Sequence, residues 1–171
     1  MQGAISILKN GGVGILPTDT IYGVVGSALL KKTVERIYKL RKRDSKKPMI
    51  ILISSINELK IFGVNVDTRK RALLKKLWPG PISVILPCRE KQFAYLHRGT
   101  EALAFRLPKP TWLRRLLKHT GPLVAPSANI AGQKSASIIK EARRYFGSSV
   151  DFYIDVGLKR GTPSTLLEIK R

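Results

Sequence analysis

Pro17-Thr18-Asp19-Thr20-Ile21-Tyr22-Gly23, residues 17–23 of the 171-residue chain, follows the apolar run Val13–Leu16 and carries two hydroxyls, a carboxylate and a phenol. Short polar side chains at the end of a predicted buried strand can bind a small polar ligand directly. The same sequence fits a hydrogen-bonded turn in which the side chains of Asp19 and the threonines form hydrogen bonds with backbone groups. The residue types leave both interpretations open.

Strand-like and helical segments alternate on both sides of this loop. Apolar runs predict strands at residues 13–16, 49–53, 82–86, 102–107, 122–125, 152–156 and 165–169. Helical spacing and capping signals predict helices at residues 33–43, 56–62, 67–78, 110–119 and 137–146, whereas residues 5–8 fit a strand or the start of a helix. Several connections are too short for parallel crossovers. We therefore predict a single α/β domain over residues 1–171, with a twisted mixed sheet flanked by helices.

A second polar loop reads Ala125-Pro126-Ser127-Ala128-Asn129 and is followed by Gly132, Ser135 and a predicted helix. Exposed amides and hydroxyls near a helix N-terminus can hold an oxyanion or a phosphate. A plain connection between a strand and a helix uses the same residue types as caps. Both interpretations remain open for this loop as well.

The densest group of cations is Arg41-Lys42-Arg43-Asp44-Ser45-Lys46-Lys47, at the end of a predicted helix. Guanidinium groups can bind phosphate oxygens in pairs, as a triphosphate site requires. Cations also stabilise a helix C-terminus, so an exposed helix end explains the same run. Over the whole chain, 32 Lys and Arg against 11 Asp and Glu give a net charge of +21. That charge favours polyanions such as nucleotides and nucleic acids, or it is simply a solvated basic surface.

Several classes of protein do not fit the sequence. There is no P-loop, GxGxxG or HExxH spelling, and Cys88, His97 and His119 stand in unrelated contexts, which argues against a metal site or a Cys/His nucleophile. The longest apolar run, Met49–Ile53, is far shorter than a membrane span. With one cysteine and no signal-peptide pattern, we expect a cytoplasmic protein that does not enter a membrane.

Six segments occur together in the order and approximate spacing of the YrdC/Sua5 family, which makes threonylcarbamoyl-AMP. They are PTDTIYG at 17–23, the basic helix end running into KPMIILI at 47–53, WPGPISVIL at 78–86, AFRLP at 104–108, APSANIAG at 125–132 and Pro163-Ser164-Thr165. Each segment alone is a weak signal, but the chain resembles the family over nearly its whole length.

The resemblance implies a nucleotidyltransferase, an L-threonylcarbamoyladenylate synthase. Such an enzyme uses L-threonine, bicarbonate or CO2, and ATP with its Mg2+, and releases pyrophosphate. Its product would feed the downstream machinery that forms N6-threonylcarbamoyladenosine (t6A) in tRNAs that read ANN codons. The family fold is an α/β domain whose mixed sheet encloses a large, basic concave cavity.

Matching positions in the family assign roles to individual residues. By this resemblance the threonine site comprises Thr18, Thr20, Arg106, Ala125 and Ser164, with Arg106 on the substrate carboxylate. The ATP site comprises Arg41, Arg43, Lys47, Ser127, Asn129 and Ser135. Lacking a general base or covalent nucleophile, the mechanism would depend on proximity and charge: threonine's carbamate attacks the α-phosphorus of ATP while Mg2+, Arg41 and Arg43 neutralise charge.

The chain departs from the family pattern at several positions. Arg41 stands where relatives usually carry lysine, Leu52 where longer members carry histidine, and Ala102 where threonine is frequent. The Arg-x-Gly segment that often closes the nucleotide pocket is not matched within residues 1–171, so we expect ATP contacts from that end to be weakened.

Two other functions remain open: a module that binds double-stranded RNA or tRNA without synthetase activity, and a carbamoyltransferase-like relative acting on carbamoyl-phosphate.

Overall fold

A computed structural model describes residues 2–44 and 46–169, so that Ser45 of the basic cluster lies outside the described part. The α-helices are α1 (Gln2–Lys9), α2 (Lys31–Arg41), α3 (Thr68–Leu77), α4 (Ala94–His97), α5 (Thr111–Thr120) and α6 (Ile139–Phe146). The strands are β1 (Val13–Pro17), β2 (Tyr22–Ser27), β3 (Ile51–Leu52), β4 (Ile82–Pro87), β5 (Ala102–Arg106), β6 (Leu123–Val124), β7 (Phe152–Tyr153) and β8 (Thr165–Glu168). Two 3-10 helices span Ile56–Phe62 and Lys91–Phe93.

The eight strands form one sheet in the order β7-β1-β2-β6-β3-β5-β4-β8. Three neighbouring pairs are parallel, β1 with β7, β3 with β5 and β4 with β8, while the other four pairs are antiparallel. The prediction of a mixed sheet flanked by helices is therefore confirmed.

Hydrophobic residues fill both faces of the sheet. On one face, Leu16 and Leu52 pack with Leu8 of α1 and with Leu113 and Leu117 of α5. Their strand neighbours point to the other face, where α2, α3 and α6 supply the partners. This alternation follows from the two-residue period of a strand and accounts for the purely apolar strand sequences.

The structure decides one open point of the sequence prediction and corrects two others. Residues 5–8 belong to helix α1, not to a strand. Tyr22–Ser27 was not predicted as a strand, and its first two residues were assigned to the polar loop at 17–23, but it forms strand β2 with all six residues buried. Ser55-Ile56-Asn57-Glu58 fits a capping-box pattern, but Ser55 makes no side-chain cap, because the N–H of Glu58 donates to the Ser55 carbonyl. The Glu58 carboxylate accepts from the backbone N–H and the hydroxyl of Ser54 instead.

The sheet register brings the two polar loops together. β1 and β2 form an antiparallel hairpin in which Pro17 pairs with Tyr22, so residues 18–21 are its connection. Gly23 forms a β-bridge with Ser127, and the N–H of Val24 donates to the carbonyl of Pro126 at 2.9 Å. The loops at 18–21 and 125–129 are thereby adjacent, although more than a hundred residues separate them in sequence.

No helix within residues 2–44 and 46–169 has the length and apolar character needed to cross a membrane.

Candidate functional site

Thr18 and Thr20 are both buried, and their hydroxyls lie 3.0 Å apart. The Thr18 hydroxyl donates to the carbonyl of Ile21 at 2.7 Å and accepts from the N–H of Thr20 at 3.2 Å. Because the Thr18 proton is already committed, the Thr20 hydroxyl is the donor between the two. Thr18 therefore stabilises the turn, whereas Thr20 retains lone pairs that can accept a hydrogen bond from a ligand.

Arg106 ends β5 and lies beside Leu52 of β3. Its Nη2 is 3.2 Å from Oδ1 of Asp19, and only 4% and 5% of the two side chains are exposed. Burial lowers the pKa of the Arg106 guanidinium, and the negative charge of Asp19 opposes that effect. The guanidinium is thus a buried cation held beside the loop at 18–21.

A cavity of about 100 Å³ opens between these groups. An apolar cavity of about 150 Å³ is large enough for benzene, so this one matches a small ligand and not a whole nucleotide. Its lining includes all five residues predicted for the threonine site and one from the nucleotide set: Thr18, Thr20, Arg106, Ala125, Ser164 and Ser127. Ile50 and Pro126 add apolar surface.

The segment of residues 154–164 runs from β7 to β8 and forms one wall of this cavity; we call it the strap. The hydroxyl of Tyr22 donates to the carbonyl of Gly157 at 2.8 Å and accepts from the N–H of Val156 at 3.0 Å. Further along, the hydroxyls of Ser164 and buried Ser83 lie 2.9 Å apart. Tyr22 and Ser83 therefore hold the strap at both ends.

Arg41 ends helix α2 and is only 3% exposed. Its Nε donates to the carbonyl of Asn129, and its Nη2 donates to Oγ of Ser127 and Oδ1 of Asn129, all at 3.1 Å. Burial and the charge of Arg43 lower the pKa of Arg41 to about 10. The guanidinium thus binds the 125–129 loop directly, and Ser127 links it to the cavity.

The other three predicted nucleotide residues, Arg43, Lys47 and Ser135, are more exposed than Arg41. Arg43 donates from Nε to the carbonyl of Lys47 at 3.2 Å and from Nη2 to that of Pro48 at 3.1 Å, while the Lys47 side chain is exposed. Ser135 is half-buried, next to Ala136, whose N–H donates to the carbonyl of Ala128. Arg41, Ser127 and Asn129 are thus in direct contact, and Arg43, Lys47 and Ser135 lie on the loops around them.

Sequence reasoning missed three contributors to the site. It left Asp19 open between a ligand-binding loop and a turn and did not pair it with Arg106. It gave Tyr22 no partner, and it did not single out Ser83. Each interaction joins residues at least 81 positions apart. No local pattern could have indicated these pairs, although a carboxylate between two threonines was a visible signal.

The chain matches known proteins along nearly its whole length. The family model Sua5_yciO_yrdC, described as "Telomere recombination", matches residues 6–171. Threonylcarbamoyl-AMP synthase of Nitrosococcus oceani is 34% identical over 168 residues, which cover 95% of this chain and 89% of that protein. The enzyme of the same name from Pyrococcus abyssi is 30% identical over 168 residues, or 97% of this chain and 49% of that protein. The chain therefore spans about half the length of the Pyrococcus relative.

Solved structures agree with this match. The crystal structure of Pyrococcus abyssi Sua5 complexed with L-threonine has a TM-score of 0.90 to this chain at 29% identity, covering 98% of this chain and 50% of that one. Escherichia coli YciO has a TM-score of 0.85 at 24% identity, covering 99% and 83%, and shows the shared fold. The chain belongs to the Sua5/YciO/YrdC family.

Proposed function

We propose that this protein is an L-threonylcarbamoyladenylate synthase, an enzyme of the nucleotidyltransferase class. It would convert L-threonine, bicarbonate or CO2, and ATP into threonylcarbamoyl-AMP and pyrophosphate. The observation that carries the proposal is the cavity that brings Thr18, Thr20, Arg106, Ala125 and Ser164 together. Relatives named threonylcarbamoyl-AMP synthase and the similar Sua5 structure with bound L-threonine support it.

The amino-acid half of the site follows from the chemistry of the lining. Arg106 would bind the substrate carboxylate, because a guanidinium can hold a carboxylate through two parallel hydrogen bonds. The Thr20 hydroxyl would accept a hydrogen bond from a polar group of the amino acid. Ile50, Ala125 and Pro126 offer apolar surface for its methyl group. Threonine has each of these three kinds of group.

The nucleotide half would lie on the side of Arg41, Arg43 and Lys47. Ser127 lines the cavity and accepts from Arg41, so the two halves share a residue. This adjacency suits a reaction in which the amine of threonine combines with CO2 to give a carbamate. A carbamate oxygen then forms a bond to the α-phosphorus while the bond from that phosphorus to pyrophosphate breaks. Nearby cations would stabilise the charge that develops on the phosphoryl oxygens.

Mg2+ belongs to the proposal only as part of the ATP complex. Residues 2–44 and 46–169 contain no group of three His, Cys, Asp or Glu side chains suited to a metal ion. Mg2+ in nucleotide sites is held largely by substrate phosphates and water, with only one or two protein carboxylates. We therefore assign it to the ATP phosphates.

The proposal extends to the product's use. A threonylcarbamoyl-adenylate is an activated acyl donor, so a transferase must consume it, and the expected acceptor is the adenosine that becomes t6A in tRNA. We also propose a cytoplasmic location, where ATP, threonine and tRNA are available together. Direct tRNA binding by the basic surface is a separate prediction.

Pyrophosphate release from ATP is the decisive measurement. We expect release only when L-threonine and bicarbonate are both present, with labelled bicarbonate appearing in an adenylate. Serine should react weakly, because a lost methyl contact reduces binding by only about 1–3 kcal/mol. Arg106→Gln should abolish threonine-dependent pyrophosphate release but leave ATP binding intact, whereas Lys118→Gln on α5 should behave as wild type. Equal release with threonine, valine and no amino acid would overturn the proposal.

A further inference from the structure

The Asp19–Arg106 ion pair stands out among the charged pairs of the described residues by its burial. The other pairs have side chains from 16% to 69% exposed, whereas Asp19 and Arg106 are 5% and 4% exposed. Removing two charges from water this completely is unfavourable unless they compensate each other. Each of these two buried charges therefore depends on the other for compensation, and removing one would leave the other uncompensated.

The contact between the two groups is close but poorly aligned. Within residues 2–44 and 46–169, Oδ1 of Asp19 and Nε of Arg106 are buried atoms without a hydrogen-bond partner, although Oδ1 lies 3.2 Å from Nη2. The other oxygen, Oδ2, is 3.4 Å from the backbone N of Lys109. Arg106 thus has one donor, Nε, without a partner among the described residues, and the same side chain lines the cavity.

The two groups differ in their position relative to the cavity. Arg106 lines the cavity together with Thr18 and Thr20, whereas Asp19, which lies between those threonines in sequence, is not part of the lining. A ligand would therefore contact Arg106 directly. Asp19 would act on the ligand only through its negative charge and through its contact with the guanidinium.

Charge balance then determines which ligands fit. With Asp19 and Arg106 both ionised, the empty site is neutral overall, and an α-amino acid zwitterion preserves that neutrality. A carboxylate without an ammonium group would leave an uncompensated negative charge in a buried place. Because the Asp19 charge repels the carboxylate of either ligand but attracts only the ammonium group, it favours the zwitterion.

We propose that Asp19 is a positioning and specificity residue that orients Arg106 and restricts the cavity to net-neutral zwitterionic amino acids, discriminating against anionic carboxylates. This inference rests on the amino-acid site proposed above. It assigns to Asp19 a task that is distinct from hydrogen bonding in the turn.

The test compares L-threonine with 3-hydroxybutyrate, which has the same carbon skeleton and hydroxyl but lacks the amino group. Calorimetric binding is measured with the full chain as wild type and as Asp19→Asn. We expect Asp19→Asn to bind 3-hydroxybutyrate more tightly than wild type does. The ratio of the two dissociation constants should shift by about tenfold in favour of 3-hydroxybutyrate. Glu35→Gln removes the carboxylate from another arginine pair, Glu35–Arg98, and should leave the ratio unchanged.

Other outcomes overturn the proposal. If Asp19→Asn weakens the binding of both ligands by the same factor, or changes the binding of neither, the residue acts only on the structure of the turn. Asp19→Glu retains the charge and should retain the wild-type ratio, so a shifted ratio there also contradicts the proposal.

If Asp19→Asn does not fold, the wild type and Asp19→Glu carry the test, because both must bind threonine at least about tenfold more tightly than 3-hydroxybutyrate. Equal affinities reject the inference but leave a threonine site in place. Failure of the wild type to bind threonine at all rejects the proposed function together with the inference.

Discussion

Gly161 of the strap lies directly against the backbone carbonyl of Thr20, so that a β-carbon at position 161 would overlap the Thr20 oxygen and carbonyl carbon. Neither group can yield easily, because the obstacle is backbone and the 18–21 turn is held by its own hydrogen bonds. The strap can therefore pass this close to the loop at 18–21 only with glycine at position 161. The crossing places Pro163 and Ser164 in the wall of the cavity.

Gly161→Ala should displace the strap from the cavity. The added methyl has no room, so residues 163 and 164 would no longer close the site, and we expect the affinity for threonine to fall at least about tenfold. Calorimetric titration with L-threonine measures this change. Gly3→Ala, at a helical position with open space around it, is the matched control and should bind as wild type does. Unchanged affinity in Gly161→Ala would mean that the strap takes no part in the site.

Tyr22→Phe tests the attachment of the strap at its other end. The substitution keeps the ring but removes a hydroxyl that both donates to Gly157 and accepts from Val156. A hydrogen bond contributes about 1 kcal/mol, so hydrogen exchange at the Val156 amide should become about fivefold faster. We also expect a higher KM for threonine with kcat preserved.

Tyr153→Phe removes a hydroxyl that donates to Gly147 on the exposed surface, and it serves as the control for Tyr22→Phe. It should leave Val156 exchange and threonine KM unchanged. If both variants raise the exchange rate equally, the effect reflects a general loss of stability and not the attachment made by Tyr22.

The difference between what the sequence predicts and what the structure shows has a physical pattern. The mixed sheet was predictable because strand and helix signals are local. Strand β2 was missed because Gly23, Gly26 and Ser27 interrupt its apolar residues, so that Tyr22–Ser27 forms neither a continuous apolar run nor an alternating one. The residues that line the cavity were named by resemblance, whereas the pairing of Asp19 with Arg106 depends on the strand order, in which β6 and β3 lie between β2 and β5. Such pairings over long sequence distances are invisible to a pattern read along the chain.

Arg41→Lys examines why this chain carries arginine where lysine is usual in the family. A lysine would keep the charge but could not reproduce the three hydrogen bonds to Ser127 and Asn129. Burial and Arg43 already lower the pKa of Arg41 to about 10, and the same surroundings would lower the pKa of a lysine from a smaller starting value. The variant should therefore lose its positive charge at a lower pH than wild type.

The pH profile of pyrophosphate release checks this expectation. Since a base is charged below its pKa, wild-type activity should stay level through neutral and mildly alkaline pH. Activity of Arg41→Lys should decline as pH rises through that range. Lys39→Arg, an exposed substitution on the same helix, should leave the profile as it is in wild type. Parallel profiles for Arg41→Lys and wild type would show that the charge at position 41 does not govern the reaction.

Charge reversal separates the proposed nucleotide site from the basic surface. Arg43→Glu would place a carboxylate where the triphosphate requires cations, and we expect pyrophosphate release to fall by at least about a hundredfold. The reversed side chain would also lose its bonds to the carbonyls of Lys47 and Pro48. Arg43→Gln removes the charge without reversing it, so its intermediate activity would identify electrostatics as the cause.

The distant control has to avoid residues that support the site. Arg114 is unsuitable, because its guanidinium donates to the carbonyl of Pro108, two residues beyond Arg106. Arg115 and Lys118 on α5 are exposed and make no such contact among the described residues, so their reversal to Glu changes only surface charge. This double variant should retain threonine-dependent pyrophosphate release. If the basic surface of the wild type binds RNA, the double variant should bind RNA more weakly. The slope of its salt dependence should be reduced by about one unit for each lost phosphate contact. Full activity in Arg43→Glu would place the ATP site elsewhere. Tight RNA binding by a wild type that never releases pyrophosphate would favour an RNA-binding module, because phosphate contacts on a basic surface require no reaction.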